Sequence, residues 1–199
     1  MPDKVVMASG NKGKIREITC LFEALGVEVV AQSVFGVDDA EETGTTFIEN
    51  SLIKSRHVAA ITGLPSIADD SGLVVDALEG APGVYSARYY GPGATDDKNI
   101  DKLLDALQNV ETENRGAAFC CAATFVMPGD PQAMIAEGKW QGSILTARQG
   151  DGGFGYDPVF LDPQSGASAA MLLAEEKNAR SHRGQALRKL VAMIELRFA

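Results

Sequence analysis

The sequence predicts an α/β fold on a mixed β-sheet. Three observations carry that reading. Short apolar runs of strand length alternate with segments of helical periodicity. A Pro/Gly-punctuated hairpin separates two longer strands near the middle of the chain. No repeat, linker or low-complexity tract interrupts the 199 residues, so one domain is expected over 1–199.

The elements follow in order. Lys4 to Ala8 reads as a buried strand, broken by Ser9-Gly10-Asn11-Lys12-Gly13. Ile15, Ile18, Leu21, Phe22 and Leu25 then recur at helical spacing, and Gly26 closes that helix. Val27 to Ala31 is a second strand, and the acidic stretch Gly36 to Thr45 is a loop. Thr46-Phe47-Ile48-Glu49 fits a capping box and opens a helix to about Thr62, ended by Gly63-Leu64-Pro65. Two short strands, Ser66–Ala68 and Leu73–Val75, are expected to flank Asp69-Asp70-Ser71-Gly72. A Gly/Pro/Tyr-rich loop covers Glu79 to Ala94, and Thr95 or Asp96 caps a helix carrying Ile100, Leu103, Leu104 and Leu107. The hairpin strands are Ala117–Met127 and Ala133–Leu145, about Pro128-Gly129-Asp130-Pro131. A glycine-rich loop runs from Gly150 to Pro158, and Leu187, Leu190, Val191 and Ile194 stripe a last helix.

Composition narrows the function. At 45% hydrophobic and 23% charged, the chain has ordinary globular material for a core. With 27 acidic against 18 basic residues the net charge is −9, which argues against a polynucleotide partner, whose phosphates demand cations. A small phosphorylated ligand stays open. Cys20, Cys120 and Cys121 lack metal spacing and read as reduced core residues of a cytoplasmic protein. No signal-peptide or membrane-spanning run is present in the sequence, and no membrane partner is expected.

Four segments could carry chemistry. Ser9-Gly10-Asn11-Lys12-Gly13-Lys14 lies between a strand and a helix start, where free N–H groups favour an anion and two lysines add charge. It is not a Walker A loop, because Ile15 follows Lys14. As residues alone, a phosphate loop and a plain turn with solvated lysines are both open. The acidic set Asp38, Asp39, Glu41, Glu42, Asp69 and Asp70 suits a hard cation such as Mg²⁺, which needs only one or two carboxylates. Asp70 stands out because apolar residues frame it, whereas Asp38 and Asp39 read as solvated. Adjacent strand residues face opposite ways, so Asp69 and Asp70 share a site only where a strand ends.

The third segment, Gly150-Asp151-Gly152-Gly153-Phe154-Gly155, formally matches GxGxxG, but Tyr156-Asp157-Pro158 follows and no helix opens there. The loop instead presents Phe154, Tyr156 and Asp157, which suit stacking on a planar ring and bonding to its edge. The fourth, Glu175 to Gly184, is dense in donors at the expected mouth of the last helix, with Ser181 as its cap. Cations there oppose the helix dipole, which suggests a ligand. His57 reads as structural. With two histidines and no Cys/His cluster, neither a zinc site nor a serine-protease-like triad can be assembled.

Together these segments resemble the inosine triphosphate pyrophosphatase family, of the bacterial type, along nearly the whole chain. The resemblance rests on Ser9–Lys14, Glu41-Glu42-Thr43-Gly44, Phe47-Ile48-Glu49-Asn50 and Ala68-Asp69-Asp70-Ser71-Gly72-Leu73. It continues through Gly80 to Tyr89, Gly153 to Pro158, Glu176-Lys177-Asn178-Ala179 and Ser181-His182-Arg183. Serine stands at residue 9 where the family usually has threonine, and Met171 where many relatives are acidic.

The resemblance implies a long twisted mixed sheet with flanking helices, two lobes around a central cleft, a homodimer and dependence on Mg²⁺. It implies hydrolysis of ITP, dITP or XTP to the monophosphate and pyrophosphate. Carried over by position, Ser9, Gly10, Asn11, Lys12, Gly13 and Lys14 form the triphosphate loop, with Lys54 as a further phosphate contact. Asp70 is general base and metal ligand, Glu41 the second metal ligand (its neighbour Glu42 staying open), and Ser71 a substrate contact. Phe154, Gly155, Tyr156, Asp157, Lys177, His182 and Arg183 form the base-recognition set.

Overall fold

The apolar run at the start of the chain forms β1 (Lys4–Met7), and both of its faces are buried. Val5 and Met7 join one cluster, while Val6 joins another with Val37, Val58 and Ala68. That two-sided burial explains a continuous apolar run without alternation. The computed structural model describes residues 1–23 and 25–198, and the side chains of residues 12, 17 and 20 lie outside that description.

Helix α1 (Lys12–Glu23) returns the chain to β2 (Glu28–Ala31), which pairs parallel with β1 from Lys4↔Glu28 to Met7↔Ala31. Its end is a Schellman turn: Gly26, at φ 70°, donates to Glu23 O, and Val27 donates to Phe22 O. Helix α2 (Phe47–Thr62) carries the expected capping box at Thr46 and Glu49 and stops at Gly63. The strand β3 (Ser66–Val75) then pairs parallel with β1 at Val6↔Ser66 and Met7↔Ile67.

Here the structure departs from expectation. Asp69-Asp70-Ser71-Gly72 does not separate two strands but continues one ten-residue strand. β3 lies between β1 and β4 in the sheet, so neighbours on both edges hold it extended. Charge and glycine, which read as punctuation, are overridden because both carboxylates find cationic partners.

Thr95 caps α3 (Asp96–Ala106), accepting from the Lys98 amide, and the hairpin strands are β4 (Gly116–Val126) and β5 (Ala133–Ile144). Two short strands that the sequence did not reveal, β6 (Phe160–Asp162) and β7 (Ala167–Ser168), extend the sheet antiparallel from β5. The order is β2-β1-β3-β4-β5-β6-β7, a mixed seven-stranded sheet with flanking helices, as expected. Helices α4 (Ala174–Arg180) and α5 (His182–Phe198) close the chain.

By contacts the chain divides into two compact units. The first comprises Met1–Asp70, Cys121–Gly138 and Arg183–Ala199, and its main core gathers Ile18 and Phe22 of α1, Phe125 of β4, and Leu187, Leu190 and Ile194 of α5. The second comprises Ser71–Cys120 and Lys139–His182, with its own core around Leu73, Ile100, Leu103, Phe119, Trp140 and Phe160. Among the described residues, no helix is long and apolar enough to cross a membrane.

Candidate active site

In the first unit, the turn after β1 is organised by its own side chains. Asn11 N–H donates to Ser9 Oγ at 3.1 Å, and Asn11 Oδ1 accepts from the amides of Gly13 at 2.9 Å and Lys14 at 3.2 Å. Asn11 therefore caps α1. Two of the N–H groups that the sequence left open for an anion are already taken by that cap. The Lys12 side chain lies outside the described residues.

Lys14 reaches Asp69, Nζ to Oδ2 at 2.9 Å, and Arg183 Nε reaches the same oxygen at 3.1 Å. Arg183, expected among the base contacts, is thus brought to the same carboxylate as Lys14. Burial pushes the Asp69 carboxyl pKa up, but Lys14, Arg183 and Lys54 outweigh it and leave it well below the ordinary carboxylate range.

Asp70 faces the other side of β3. Its Oδ1 accepts from Lys54 Nζ at 3.0 Å and its Oδ2 from Asn50 Nδ2 at 3.3 Å. Asn50 and Lys54 stand four residues apart on α2, hence on one face. That face is seated by hydroxyls: Ser51 Oγ donates to Ala68 O at 3.1 Å and lies 2.9 Å from Thr124 Oγ1. Lys54 also grips Glu42, Nζ to Oε1 at 2.7 Å. The loop bearing Glu42 is pinned where the Gly44 amide donates to Asn50 Oδ1 at 2.8 Å, and a Cβ on Gly44 would lie 2.6 Å from Glu49 Cβ. Only glycine fits there. Burial pushes the Asp70 carboxyl pKa above its ordinary value against the opposing pull of Lys54 and Asn50. Lys54 itself is pushed down by burial, yet Asp70, Asp69 and Glu42 prevail and hold it above the usual lysine range.

The second unit holds the other expected set. Phe154 is 52% exposed, and Lys177 Nζ sits over its ring, 4.7 Å from the centroid. Lys177 also pairs with Asp157, whose Oδ2 accepts from the Phe154 amide at 2.8 Å. Gly153 has φ 75°, and a Cβ there would fall 2.1 Å from Asp157 Oδ2, so this turn requires glycine. The Gly155 amide donates to Asp96 Oδ2 at 2.7 Å. Tyr156 is buried and donates to Ser86 O at 2.8 Å, which anchors the loop from beneath. His182 is buried and stacked on Phe119, with centroids 4.9 Å apart and rings 14° from parallel. Ser71 is half-buried beside Asp70 on β3.

The fourth segment corrects an expectation. Lys177 and Arg180 do not oppose the dipole at the mouth of the last helix; they occupy the last turn of α4, where positive charge is favourable. Ser181, extended at φ −59° and ψ 148°, separates α4 from α5 and stands immediately before His182, at the cap position expected for the last helix.

The Ham1 family sequence model matches residues 5–193. The chain belongs to the Ham1 family. A relative named dITP/XTP pyrophosphatase, from Pectobacterium atrosepticum, is 56% identical over 189 residues, 94% of this chain and 96% of that one. Another of that name, from Shigella flexneri, is 54% identical over the same shares. A HAM1 protein from Coxiella burnetii superposes with TM-score 0.92 at 45% identity, covering 98% of this chain and 99% of that one. A nucleoside-triphosphatase / dITP/XTP pyrophosphatase from Mycobacterium abscessus gives TM-score 0.76 at 41% identity over 96% of each chain.

Within this Ham1 chain the acidic pair can be tested against a metal. Among the described residues no three His, Cys, Asp or Glu side chains gather as a closed cage. The donor set fits a hard cation that keeps most of its shell for water and phosphate. Asp70 and Glu42 reach one ammonium from separate elements, at 3.0 and 2.7 Å. Glu41 is exposed, and Glu42 rather than Glu41 faces Lys54. Asn50 was not among the expected site residues, and Asp69 was named only within the acidic set, without a role. The four-residue step from Asn50 to Lys54 was the available signal for the first; the cations that meet Asp69 come from distant residues.

Proposed function

We propose that this chain hydrolyses keto-purine nucleoside triphosphates, dITP, XTP and ITP, to the monophosphate and pyrophosphate, as a Mg²⁺-dependent cytoplasmic homodimer. The observation that carries the reading is Asp70: a buried carboxylate, oriented by two donors, beside a lysine shared with a second carboxylate. The names of the relatives and the sequence resemblance support the substrate class.

Asp70 and one carboxylate of the Glu41-Glu42 pair would hold Mg²⁺, which when bound neutralises phosphate charge and polarises the phosphoryl oxygens. Asn50 and Lys54 fix the two oxygens of Asp70, so the carboxylate is positioned to take a proton from water. That water attacks the α-phosphorus; the new P–O bond forms as the bond to the β-phosphate oxygen breaks, and pyrophosphate leaves. Lys14 and Lys54 offset the charge of the triphosphate.

Purines differ at position six, a keto acceptor in hypoxanthine and xanthine and an amino donor in adenine. Donors from Lys177 and His182, both in the second unit, would satisfy the first and leave the second facing donors. A site built for one hydrogen-bonding pattern can discriminate by about 10⁴–10⁵. Phe154, exposed and flanked by the Lys177 ammonium, offers a stacking face. Phe154→Ala is expected to raise KM for all purine triphosphates alike, by about tenfold, since stacking is worth about 1–3 kcal/mol; a loss confined to one base would contradict stacking.

The test is a panel of nucleoside triphosphates with Mg²⁺, read by pyrophosphate release. Preference for dITP, XTP and ITP over ATP is expected, with release abolished by EDTA and restored by excess Mg²⁺. Preference for pyrimidine or methylated nucleotides would assign a related pyrophosphatase activity. No release on any substrate would leave a nucleotide-binding module. Orthophosphate as sole product would overturn the cleavage position.

A further inference from the structure

The mechanism above makes no use of a carboxylate buried in the second unit. Asp162, at the end of β6, is 2% exposed. Its Oδ1 accepts from Trp140 Nε1 at 3.0 Å, and its Oδ2 accepts from the Ser165 amide at 3.0 Å and from Arg180 Nη1 at 2.7 Å. Three donors from three separate segments meet on one side chain, so the carboxylate is well satisfied where it is buried.

Two of those segments, bearing Arg180 and Trp140, lead toward the set assigned to the base. Arg180 is the last residue of α4, the seven-residue helix that carries Lys177. A helix so short has little stability of its own and depends on tertiary anchors. Lys177, midway along α4, is held by Asp157 and lies over Phe154; Arg180, three residues on, is the ion-paired anchor at the helix's C-terminal end. Trp140 packs on Phe160 with centroids 5.1 Å apart and on Phe119 at 6.2 Å, and Phe119 is the ring on which His182 stacks.

We propose that the Asp162–Arg180 ion pair is a positioning device that clamps α4 to β6 and thereby sets Lys177 for reading the base. The inference rests on the proposed function for the identity of that base. Asp162 and Arg180 touch no reacting atom in this scheme. They act on Lys177 by restraining its helix, and on His182 through Trp140 and Phe119. A clamp of this kind acts on binding and selectivity rather than on the phosphoryl chemistry, because Asp70, Lys54 and Glu42 are held by other elements.

The test compares Arg180→Ile, Arg180→Lys and Asp162→Asn with the wild type, by steady-state kinetics on dITP and dATP. Arg180→Ile is expected to raise KM for dITP about fivefold, with kcat within about twofold, and to lower the dITP/dATP ratio of kcat/KM. Arg180→Lys, which keeps the charge, is expected to recover most of the loss. Asp162→Asn, which retains an acceptor for Trp140 but not the charge, should follow Arg180→Ile. Emission from the sole tryptophan, Trp140, gives a second reading independent of turnover: Arg180→Ile should change it and Arg180→Lys should restore it. A purely structural role would lower the active fraction and so the apparent kcat, leaving KM and the selectivity ratio unchanged; that result overturns the proposal. A wild type that releases pyrophosphate from dITP while Arg180→Ile keeps its KM sinks the clamp alone, whereas a wild type that releases none sinks the proposed function.

Discussion

Asp70→Asn is expected to cut turnover by about 10³-fold or more while leaving the melting temperature at or above that of the wild type. The exchange is isosteric; the amide oxygen can still accept from Lys54 as Oδ1 does now at 3.0 Å, and only the longer 3.3 Å bond from Asn50 Nδ2 is given up. Lys54 also keeps Glu42 at 2.7 Å, so the cation is not left alone. What is lost is the basic oxygen and one of the anionic donors proposed for Mg²⁺.

The stability arm follows from the direction of the Asp70 shift. Burial pushes its carboxyl pKa up, so the folded state binds this proton more tightly than the unfolded chain does. Stability from this group is therefore present at low pH and lost as pH rises through the folded pKa. At neutral pH the charge is a cost to folding that the neutral amide removes, as happens where function and stability conflict. Kinetics and thermal melts in metal-free buffer on the same preparations check both arms. Turnover within tenfold of the wild type would remove Asp70 from the role of base.

How much of this was legible in the sequence depends on the range of the interactions involved. The capping box at Thr46 and the stop at Gly63 were readable because both signals lie within four residues of what they control. Strand β1 was readable because burial on both faces leaves a plain apolar run. β3 was misread because its middle carries two aspartates, a serine and a glycine, and the cations that make them tolerable come from residues 14, 54 and 183. Which of Glu41 and Glu42 meets Lys54 was similarly out of reach. It is Glu42, twelve residues from Lys54 and on another element. α4 was hidden because its cations favour a helix end and were taken to mark a helix beginning. Motif order along the chain identified the family, but tertiary partners alone assign Asn50, Asp69, Asp162 and Arg180 their places.

The neighbouring exchange, Asp69→Asn, is expected to behave in the opposite way, costing about 3–5 kcal/mol of stability at neutral pH. Asp69 and Asp70 are adjacent on one strand and point to opposite faces, and their surroundings have opposite effects on charge. Lys14 and Arg183 lie 2.9 and 3.1 Å from a single Asp69 oxygen, with side chains only 18% and 6% exposed. Neutralising Asp69 would leave two poorly hydrated cations facing each other with the shared anion gone. For a chain of this length the loss corresponds to a fall of roughly 10 °C in melting temperature. Acid melts provide a second signature. The lowered Asp69 pKa means that its stabilisation is complete above the unfolded carboxyl value, about pH 4, and fades as pH falls toward the folded value. The gap between wild type and Asp69→Asn should therefore be widest at neutral pH and shrink in acid. Turnover should fall as well, because Lys14 and Arg183 lose the carboxylate that sets both of their positions. A variant melting within about 2 °C of the wild type at pH 7 would show that this buried triad contributes little to holding the Ser9–Lys14 turn and the start of α5 in place.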